Sequence, residues 1–235
     1  YANPHYPDVD DTAVVVMAMD RAQGTSPGSD FAPAIARAKE WIYGVQSKNG
    51  AWGAFDADNE FTYLNNIPFA DHGALLDPPT EDVTARCLSM LAQLGDSADR
   101  SPAMAQAIDY LRRTQLADGS WYGRWGMNYI YGTWSVLCAL NAAGVDHRDP
   151  AIRKAADWLI AIQNPDGGWG EDGGTYPRRG GTQADPDRRM ARSSSASQTA
   201  WALLALMAAG AVDDPAVERG ARWLLRHQAE DGGWP

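Results

Sequence analysis

The sequence predicts an all-α fold, an α/α barrel or toroid in which inner and outer helices alternate around a ring. A Gln-x-x-x-Gly-x-Trp string recurs four times within 235 residues, beginning at Gln46, Gln115, Gln163 and Gln228. Two helix-like segments precede each string, and the first of them is much more apolar than the second. A repeat of this kind indicates similar supersecondary units stacked side by side. The chain is therefore predicted to contain four inner/outer helix pairs of an incomplete barrel.

The segment directly before each string is predicted to be an outer helix. A proline stands thirteen residues before each Gln, and proline favours the first turn of a helix. An aromatic residue stands five positions before each Gln and an aliphatic residue follows it, as expected for a buried helical stripe. Arg and Lys on one face indicate the solvent-facing partner of each pair. The prolines are Pro33, Pro102, Pro150 and Pro215, and the aromatic residues are Trp41, Tyr110, Trp158 and Trp223.

The segment upstream of each outer helix is predicted to be a buried inner helix. Its body is nearly all apolar, as in residues 200–206, and a helix that is apolar all round is buried. Each inner helix is predicted to begin at a threonine and to end near a glycine. The threonines are Thr12, Thr84, Thr133 and Thr199, and the glycines are Gly24, Gly95, Gly144 and Gly210.

The Gln/Trp strings are predicted to be structural. The Gln ends an outer helix, the glycine permits a tight turn, and the Trp can stack back over the Gln. Each string would then staple successive repeats together. Residues 1–235 are accordingly predicted to be part of one α/α-barrel catalytic domain, with a flexible loop at 173–197 that is rich in Gly, Arg and Ser.

Composition excludes several classes of function. The net charge is −10 and no basic stripe is present, so nucleic acid is not an expected partner. Cys87 and Cys138 are too few and too far apart for a disulfide framework or a zinc site, which favours a reducing cytoplasmic setting. No metal or other cofactor is signalled. The chain lacks an initial Met and stops one residue after its fourth string, so we expect a fragment that is inactive alone.

Aligning the four inner-helix sequences on their threonines predicts a functional site. All inner helices of such a barrel run in the same direction, so their N-terminal ends gather at one mouth. The position two before each threonine is polar in every repeat, and we expect these four side chains to converge. Arg86 stands two residues after its threonine in an otherwise apolar helix, and a buried guanidinium needs anionic partners. The four converging positions are Asp10, Asp82, Tyr131 and Ser197.

Three aspartates cluster at the start of the first inner helix. Helix N-capping is the simplest role for an Asp here, but one residue suffices for that role. Asp8, Asp10 and Asp11 form a like-charge cluster that cannot ionise completely when buried, so one proton is retained. Asp10 is therefore predicted to act as an acid rather than only as a cap.

Aromatic residues flank the same mouth. Trp125 lies just before the third inner helix, Phe55 follows the first string, and Phe69 precedes the second inner helix. Aromatic side chains near a dry cavity usually only pack, but their π faces could also stabilise carbocations. The pattern alone leaves both interpretations open for Trp125.

The run Asp8-Val9-Asp10-Asp11-Thr12-Ala13 resembles the DXDD acid motif of squalene-hopene cyclases, and the four strings resemble the QW repeats of that family. Residues 52–56, 77–79, 81–84 and 123–126 also resemble family stretches, so the resemblance covers essentially the whole chain. It implies a C-terminal-side fragment of an isomerase of hopanoid biosynthesis. This enzyme protonates a terminal double bond of squalene and cyclises the chain to hopene or hopanol, without a cofactor.

The resemblance also implies roles for individual residues. By position, Asp10 is the proton donor with Asp8 and Asp11 around it, and Asp82 and Tyr131 belong to the hydrogen-bonded surroundings that return a proton to it. The aromatic residues are expected to contact substrate: Trp125 as the side chain that stabilises early cations, Phe55 at a position where some members have Tyr, and Phe69 at the constriction of the substrate channel.

One position departs from the family pattern. Well-known members have His as the partner of the acidic Asp, where this chain has Arg86. Arginine stays protonated, so it can stabilise the carboxylate that proton transfer leaves but cannot shuttle a proton.

The resemblance implies squalene as the binding partner and peripheral association with the cytoplasmic side of a bacterial inner membrane, and it allows a homodimer. The nearest alternative is another protonating cyclase, acting on oxidosqualene or a diterpene precursor. An inverting glycoside hydrolase on an α/α barrel would also gather carboxylates at one mouth, but it would leave the strings unexplained. A prenyltransferase-like subunit would need a zinc site, and a non-catalytic scaffold would leave Arg86 without a purpose.

Overall fold

A computed structural model describes residues 7–25, 28, 30–61, 63–64, 77–175 and 193–234. The regular structure within these ranges is helical, and none of their helices is long and apolar enough to cross a membrane. The chain divides into two compact units, residues 1–113 and 114–235. The single domain predicted over residues 1–235 stays a prediction. Most of the predicted loop at 173–197 lies outside the described residues.

The first unit contains two inner/outer pairs. They are α1 (Val9–Ala22), α2 (Ala32–Gly44), α3 (Glu81–Gln93) and α4 (Pro102–Thr114). The inner helix α1 packs against α2 and α3 and buries Val9, Ala13 and Val16 on that side. The prediction that inner helices are buried all round is wrong for α1, because Val14 and Val15 are 41% and 49% exposed.

The second unit contains the remaining two pairs. They are α5 (Tyr129–Ala142), α6 (Pro150–Ala161), α7 (Ala196–Ala208) and α8 (Pro215–His227), with a 3-10 turn at Gly173–Thr175. The inner helices α5 and α7 pack against each other, α6 contacts both, and α8 lies on α7. Most of α5 is buried, whereas Leu204 and Met207 of α7 are exposed.

The helix ends follow local chemistry. Proline is the first residue of three outer helices and the second residue of α2, where its missing N–H costs no hydrogen bond. Each inner helix ends two residues before its glycine, and φ there is positive, for example +85° at Gly95. After α3 the N–H of Asp96 donates to the carbonyl of Leu91 at 3.0 Å, the hydrogen bond that closes a glycine-terminated helix. The inner helices begin three or four residues before their threonines, earlier than predicted.

The strings join successive repeats, as predicted. The side-chain amide of Gln46 donates to the carbonyl of Gly50 in its own turn at 2.8 Å and to that of Ala103 in the next outer helix at 2.9 Å. The amides of Gln115 and Gln163 make the same two kinds of bond. Hydrogen bonds thus form the staple between neighbouring outer helices.

The tryptophans of the first three strings are hydrogen-bonded to the next inner helix. The Trp52 backbone N–H donates to the hydroxyl of Thr84 at 3.0 Å. The same bond, at the same length, links the second string to α5 and the third string to α7. These tryptophans are fully buried. Thr84, Thr133 and Thr199 therefore fix the N-terminal ends of α3, α5 and α7 against a string. The predicted site residues lie at the N-terminal ends of the inner helices.

Candidate active site

Asp8 caps the first inner helix. Its side chain accepts the backbone N–H of Asp11 at 2.8 Å, and its backbone carbonyl accepts the hydroxyl of Thr12 at 2.6 Å. Burial raises the pKa of Asp8 above its ordinary value, and the N–H of Asp11 partly offsets this effect. Because Asp8 performs the capping, neither Asp10 nor Asp11 is needed for it. Asp11 itself is exposed.

Asp10 is paired with Arg86 across the two inner helices of the first unit. Asp10 is the second residue of α1, and Arg86 lies in the second turn of α3. The Nε of Arg86 donates to Oδ1 of Asp10 at 3.0 Å, and the two side chains are 22% and 27% exposed. The intruding guanidinium of the apolar helix thus has the anionic partner that its burial requires.

Asp10 holds its proton more tightly than an ordinary Asp. Burial is the largest cause and raises the pKa of Asp10, because the charged form is poorly solvated there. The Arg86 cation lowers the pKa of Asp10, and the negative charges of Asp82 and Asp8 raise it, so that the net direction is upward. The environment therefore favours the protonated form of Asp10 while it places a cation beside the conjugate base.

Asp82 supplies the nearby buried negative charge. It lies in the first turn of α3 and is 2% exposed. Its Oδ1 accepts the hydroxyl of Thr80 at 2.5 Å and the N–H of Val83 at 3.0 Å. Of the predicted site residues in the first unit, the structure brings Asp8, Asp10, Asp82 and Arg86 together. Their catalytic roles stay predictions.

The first string also reaches this site. The N–H of Val9, the first residue of α1, donates to the carbonyl of Ala54 at 2.8 Å. Phe55 is the next residue, so its backbone lies at the N-terminal end of α1, and its side chain is partly exposed. Phe69 lies outside the described residues, and its predicted place at a channel constriction stays a prediction.

Tyr131 lies in the second unit within an aromatic cluster. Its side chain is 7% exposed, and the rings of Trp134 and Trp201 lie 5.8 and 5.3 Å from it. Trp134 and Trp201 stack on each other at 5.6 Å. Trp201 occupies the same register position in α7 as Arg86 does in α3. The predicted role of Tyr131 in returning a proton to Asp10 stays a prediction.

Trp125 lies on a segment that packs against Tyr131. Its side chain is 48% exposed, and the Arg124 guanidinium lies 5.7 Å from its ring centroid. The two glycines that flank this pair make close contacts: a Cβ on Gly126 would lie 2.5 Å from Cγ of Tyr131, and a Cβ on Gly123 would lie 2.6 Å from its Cδ1. Glycine is therefore required on both sides of Trp125 for the backbone to approach the ring.

Sequence reasoning missed Glu171 and Gln198. Glu171 is buried, and its carboxylate accepts backbone N–H groups at the start of α5. A signal for it exists: the residue two after the string tryptophan is Ala54 in the first repeat, Gly123 in the second and Glu171 in the third. A carboxylate at a position that holds small residues in the first two repeats breaks the repeat pattern, just as the charged Arg86 breaks the apolar pattern of its helix.

Comparison with known proteins identifies the family. Residues 1–235 match the squalene-hopene cyclase C-terminal domain. The chain is 64% identical over its full length to a probable squalene–hopene cyclase of Sinorhizobium fredii and 63% identical to a squalene–hopene cyclase of Bradyrhizobium diazoefficiens, of which it covers 35% and 34%. The chain thus spans about a third of the length of the curated relatives it matches.

The fold is shared with solved cyclases. The structure of the type II terpene cyclase MstE from Scytonema aligns with a TM-score of 0.63 at 21% identity, over 98% of this chain and 58% of that one. This likeness confirms the predicted all-α fold class of the α/α-barrel type. Because the family match covers every residue of the sequence, the chain belongs to the squalene-hopene cyclase family.

Proposed function

We propose that this chain is the acid-bearing part of an enzyme that cyclises squalene to hopene or hopanol. The observation that carries the proposal is the Asp10–Arg86 pair: a half-buried carboxyl with a raised pKa, on the first turn of a helix, bonded at 3.0 Å to a permanent cation. The membership of the family supports squalene as the substrate.

The chemistry demands such a carboxyl. A carbon–carbon double bond is a very poor base, so the matching of pKa values that serves ordinary acid catalysis does not apply. The acid must be protonated, shielded from water and aimed, and its conjugate base must be stabilised before the proton leaves. Burial and the charges of Asp8 and Asp82 favour the protonated form of Asp10, while Arg86 and the α1 N-terminus stabilise the carboxylate that forms.

The proposed reaction begins when the O–H proton of Asp10 passes to the less substituted carbon of a terminal double bond of squalene. The π electrons form the new C–H bond and leave a tertiary cation, which the next double bond attacks, and ring closures follow in sequence. Loss of a proton from the final cation gives hopene, and capture of water gives hopanol. Trp125 and Phe55 are proposed to stabilise cations through their π faces, and Asp82 and Tyr131 to take part in returning a proton to Asp10.

The test is Asp10→Asn in the full-length protein. We expect the variant to fold and to lose squalene cyclisation, because an amide cannot donate a proton to an alkene. Products are measured by gas chromatography, and folding by circular dichroism. Asp109→Asn is the matched control, since Asp109 is an exposed residue of an outer helix paired with Arg112. Retained cyclisation in Asp10→Asn would exclude the acid assignment, and turnover of oxidosqualene alone would exclude the substrate.

We also propose peripheral association with the cytoplasmic face of a bacterial inner membrane. Squalene partitions into the apolar interior of a bilayer, so an enzyme without direct membrane access would encounter little of it. Flotation of the full-length protein with liposomes tests this association. A homodimer stays a prediction, which sedimentation of the full-length protein would decide.

A further inference from the structure

The first turn of α5 is bound by a carboxylate that is distant in sequence. The Glu171 side chain accepts the backbone N–H of Asn128 at 3.2 Å, of Tyr129 at 3.1 Å and of Ile130 at 2.6 Å. Glu171 is 7% exposed and Asn128 is fully buried. Three N–H groups on one carboxylate form a compact anion site of the type that helix N-termini create.

This arrangement differs from the starts of α1 and α7, whereas the N-cap of α3, Thr80, likewise makes no side-chain bond to its first turn. The N-caps of α1 and α7 are Asp8 and Ser195, and each accepts a backbone N–H from its own first turn. The N-cap of α5, Asn128, makes no such side-chain bond. The free N–H groups of a helix start must be satisfied when they are buried, and Glu171 satisfies them from the loop after the third string.

Gln198 connects this carboxylate to the fourth repeat. Its Oε1 accepts the backbone N–H of Glu171, and its Nε2 donates to the carbonyl of Met127 at 3.2 Å and to that of Glu171 at 3.3 Å. Gln198 lies in the first turn of α7 and is buried. The residue before α5, the loop that carries Glu171 and the start of α7 are therefore held in one hydrogen-bonded unit.

The anchored backbone lies between two predicted site residues. Trp125 is two residues before Met127, and Tyr131 directly follows Ile130. The flanking glycines let the backbone around Trp125 pack closely against the Tyr131 ring. A shift of the first turn of α5 would therefore move both side chains.

We propose that Glu171, acting with Gln198, is a positioning residue for the cyclisation: it fixes the segment from Trp125 to Tyr131 in the place where these aromatic side chains meet the growing cation. The inference rests on the proposed function. The site requires two accepting oxygens, because Oε1 of Glu171 accepts one of the three N–H groups and Oε2 accepts the other two. In Glu171→Gln one carboxylate oxygen becomes an NH₂ donor, which cannot accept them.

Substitutions of Glu171 and Gln198 should change both the rate of cyclisation and the distribution of products. A displacement of about 1 Å in a positioning group lowers catalysis by about a hundredfold, so we expect kcat/KM for squalene to fall between about tenfold and a hundredfold in Glu171→Gln. We also expect more partially cyclised products, because cations that Trp125 no longer stabilises lose a proton early. Glu171→Asp keeps the charge and should recover part of the activity. Gln198→Ala should cause a smaller change in the same direction.

The experiment uses the full-length protein with squalene, and it compares Glu171→Gln, Glu171→Asp and Gln198→Ala with Glu218→Gln. Glu218 is an exposed carboxylate on α8 whose side chain is 65% exposed, and its variant should match wild type. Circular dichroism and thermal melting identify temperatures at which every variant is folded. Under those conditions, an unchanged product pattern in Glu171→Gln would overturn the proposal, as would a loss of rate that only follows the folded fraction.

A second measurement separates this inference from the proposed function. Hydrogen exchange of the peptide 123–131, followed by mass spectrometry, needs no substrate. We expect the amides of Asn128, Tyr129 and Ile130 to exchange at least tenfold faster in Glu171→Gln than in wild type. Unchanged protection would overturn the anchoring role of Glu171, whereas an inactive wild type with faster exchange in the variant would reject only the squalene assignment.

Discussion

Arg86→Gln tests how the guanidinium sets the acidity of Asp10. The two side chains meet at 3.0 Å with 22% and 27% exposure, so the pair is neither fully solvated nor fully buried. Two unit charges about 4 Å apart interact by about 4 kcal/mol at an effective dielectric constant of about 20. Partial solvent exposure reduces this to about 1.5–3 kcal/mol, which corresponds to about one to two pKa units.

The substitution should therefore raise the pKa of Asp10 further and weaken it as an acid. In the full-length enzyme, the alkaline limb of the pH dependence of kcat/KM for squalene should move up by about one to two units, because Asp10 stays protonated to higher pH. The maximal rate should fall by about tenfold to a hundredfold, because the carboxylate formed on proton transfer loses its cation. Gln keeps a hydrogen-bond donor, so the comparison isolates the charge.

The matched control is Arg222→Gln, which removes a cation from an exposed ion pair on α8 with side chains 69% and 65% exposed. Its pH profile should match wild type. If the alkaline limb of Arg86→Gln stays at the wild-type pH while the protein is folded, the guanidinium does not control the proton on Asp10. Arg86→His should remain close to wild type while the imidazole is charged, and its rate should fall to the level of Arg86→Gln as pH rises through the ordinary His pKa of about 6.5.

Three further predictions concern packing and stability. Gly132→Ala should destabilise the chain by about 1–3 kcal/mol or more, because a Cβ would lie 2.5 Å from a carbonyl oxygen of the second string. Urea denaturation measures this loss. Gly44→Ala is the control and should change stability little, since no atom lies within 4 Å of the added carbon. Thr199→Val leaves the buried N–H of Trp169 without its acceptor and should cost about 1–3 kcal/mol in the same assay, whereas equal stability of Thr199→Val and Thr199→Ser would contradict the role of the hydroxyl. The pKa of Asp10 is raised in the folded protein, so the stabilisation by protonated Asp10 is fully present below the ordinary pKa of 3.8 and is lost as pH rises through the folded pKa. Asp10→Asn should therefore flatten the curve of unfolding free energy against pH in this range.

The repeat pattern was sufficient to predict the helices, because their ends depend on local chemistry. Proline fixes the starts of the outer helices, and glycine with positive φ closes the inner ones. The starts of the inner helices lie earlier than predicted, because Asp8 and Ser195 provide caps upstream of the threonines. Thr84, Thr133 and Thr199 have a different role, which is to bind a string, and helix propensity does not reveal it.

Part of the site was predictable for a similar reason. A guanidinium in an apolar helix demands an anion, and the register of the repeats left Asp10 as a candidate, which the structure pairs with Arg86. Glu171 escaped prediction because it lies in a loop, where neither helical spacing nor an apolar neighbourhood marks a residue as buried. Its importance comes from backbone N–H groups that are distant in sequence, and the one mark it leaves in the sequence is a carboxylate at a position that holds Ala54 and Gly123 in the first two repeats.

The bond between each string tryptophan and the next threonine has a consequence for how such a ring can be altered. It places the natural boundary of one module at the threonine and not at the first residue of the helix. A segment that runs from Thr133 to Trp169 begins with the hydroxyl that accepts one of these bonds and ends with the N–H that donates the next. A homologous segment exchanged between the same two points therefore keeps both hydrogen bonds. A chimaera whose junction separates the threonine from its helix breaks one of them. Recombination at these threonines is therefore the route by which aromatic linings could be exchanged among cyclases of this family without rebuilding the scaffold.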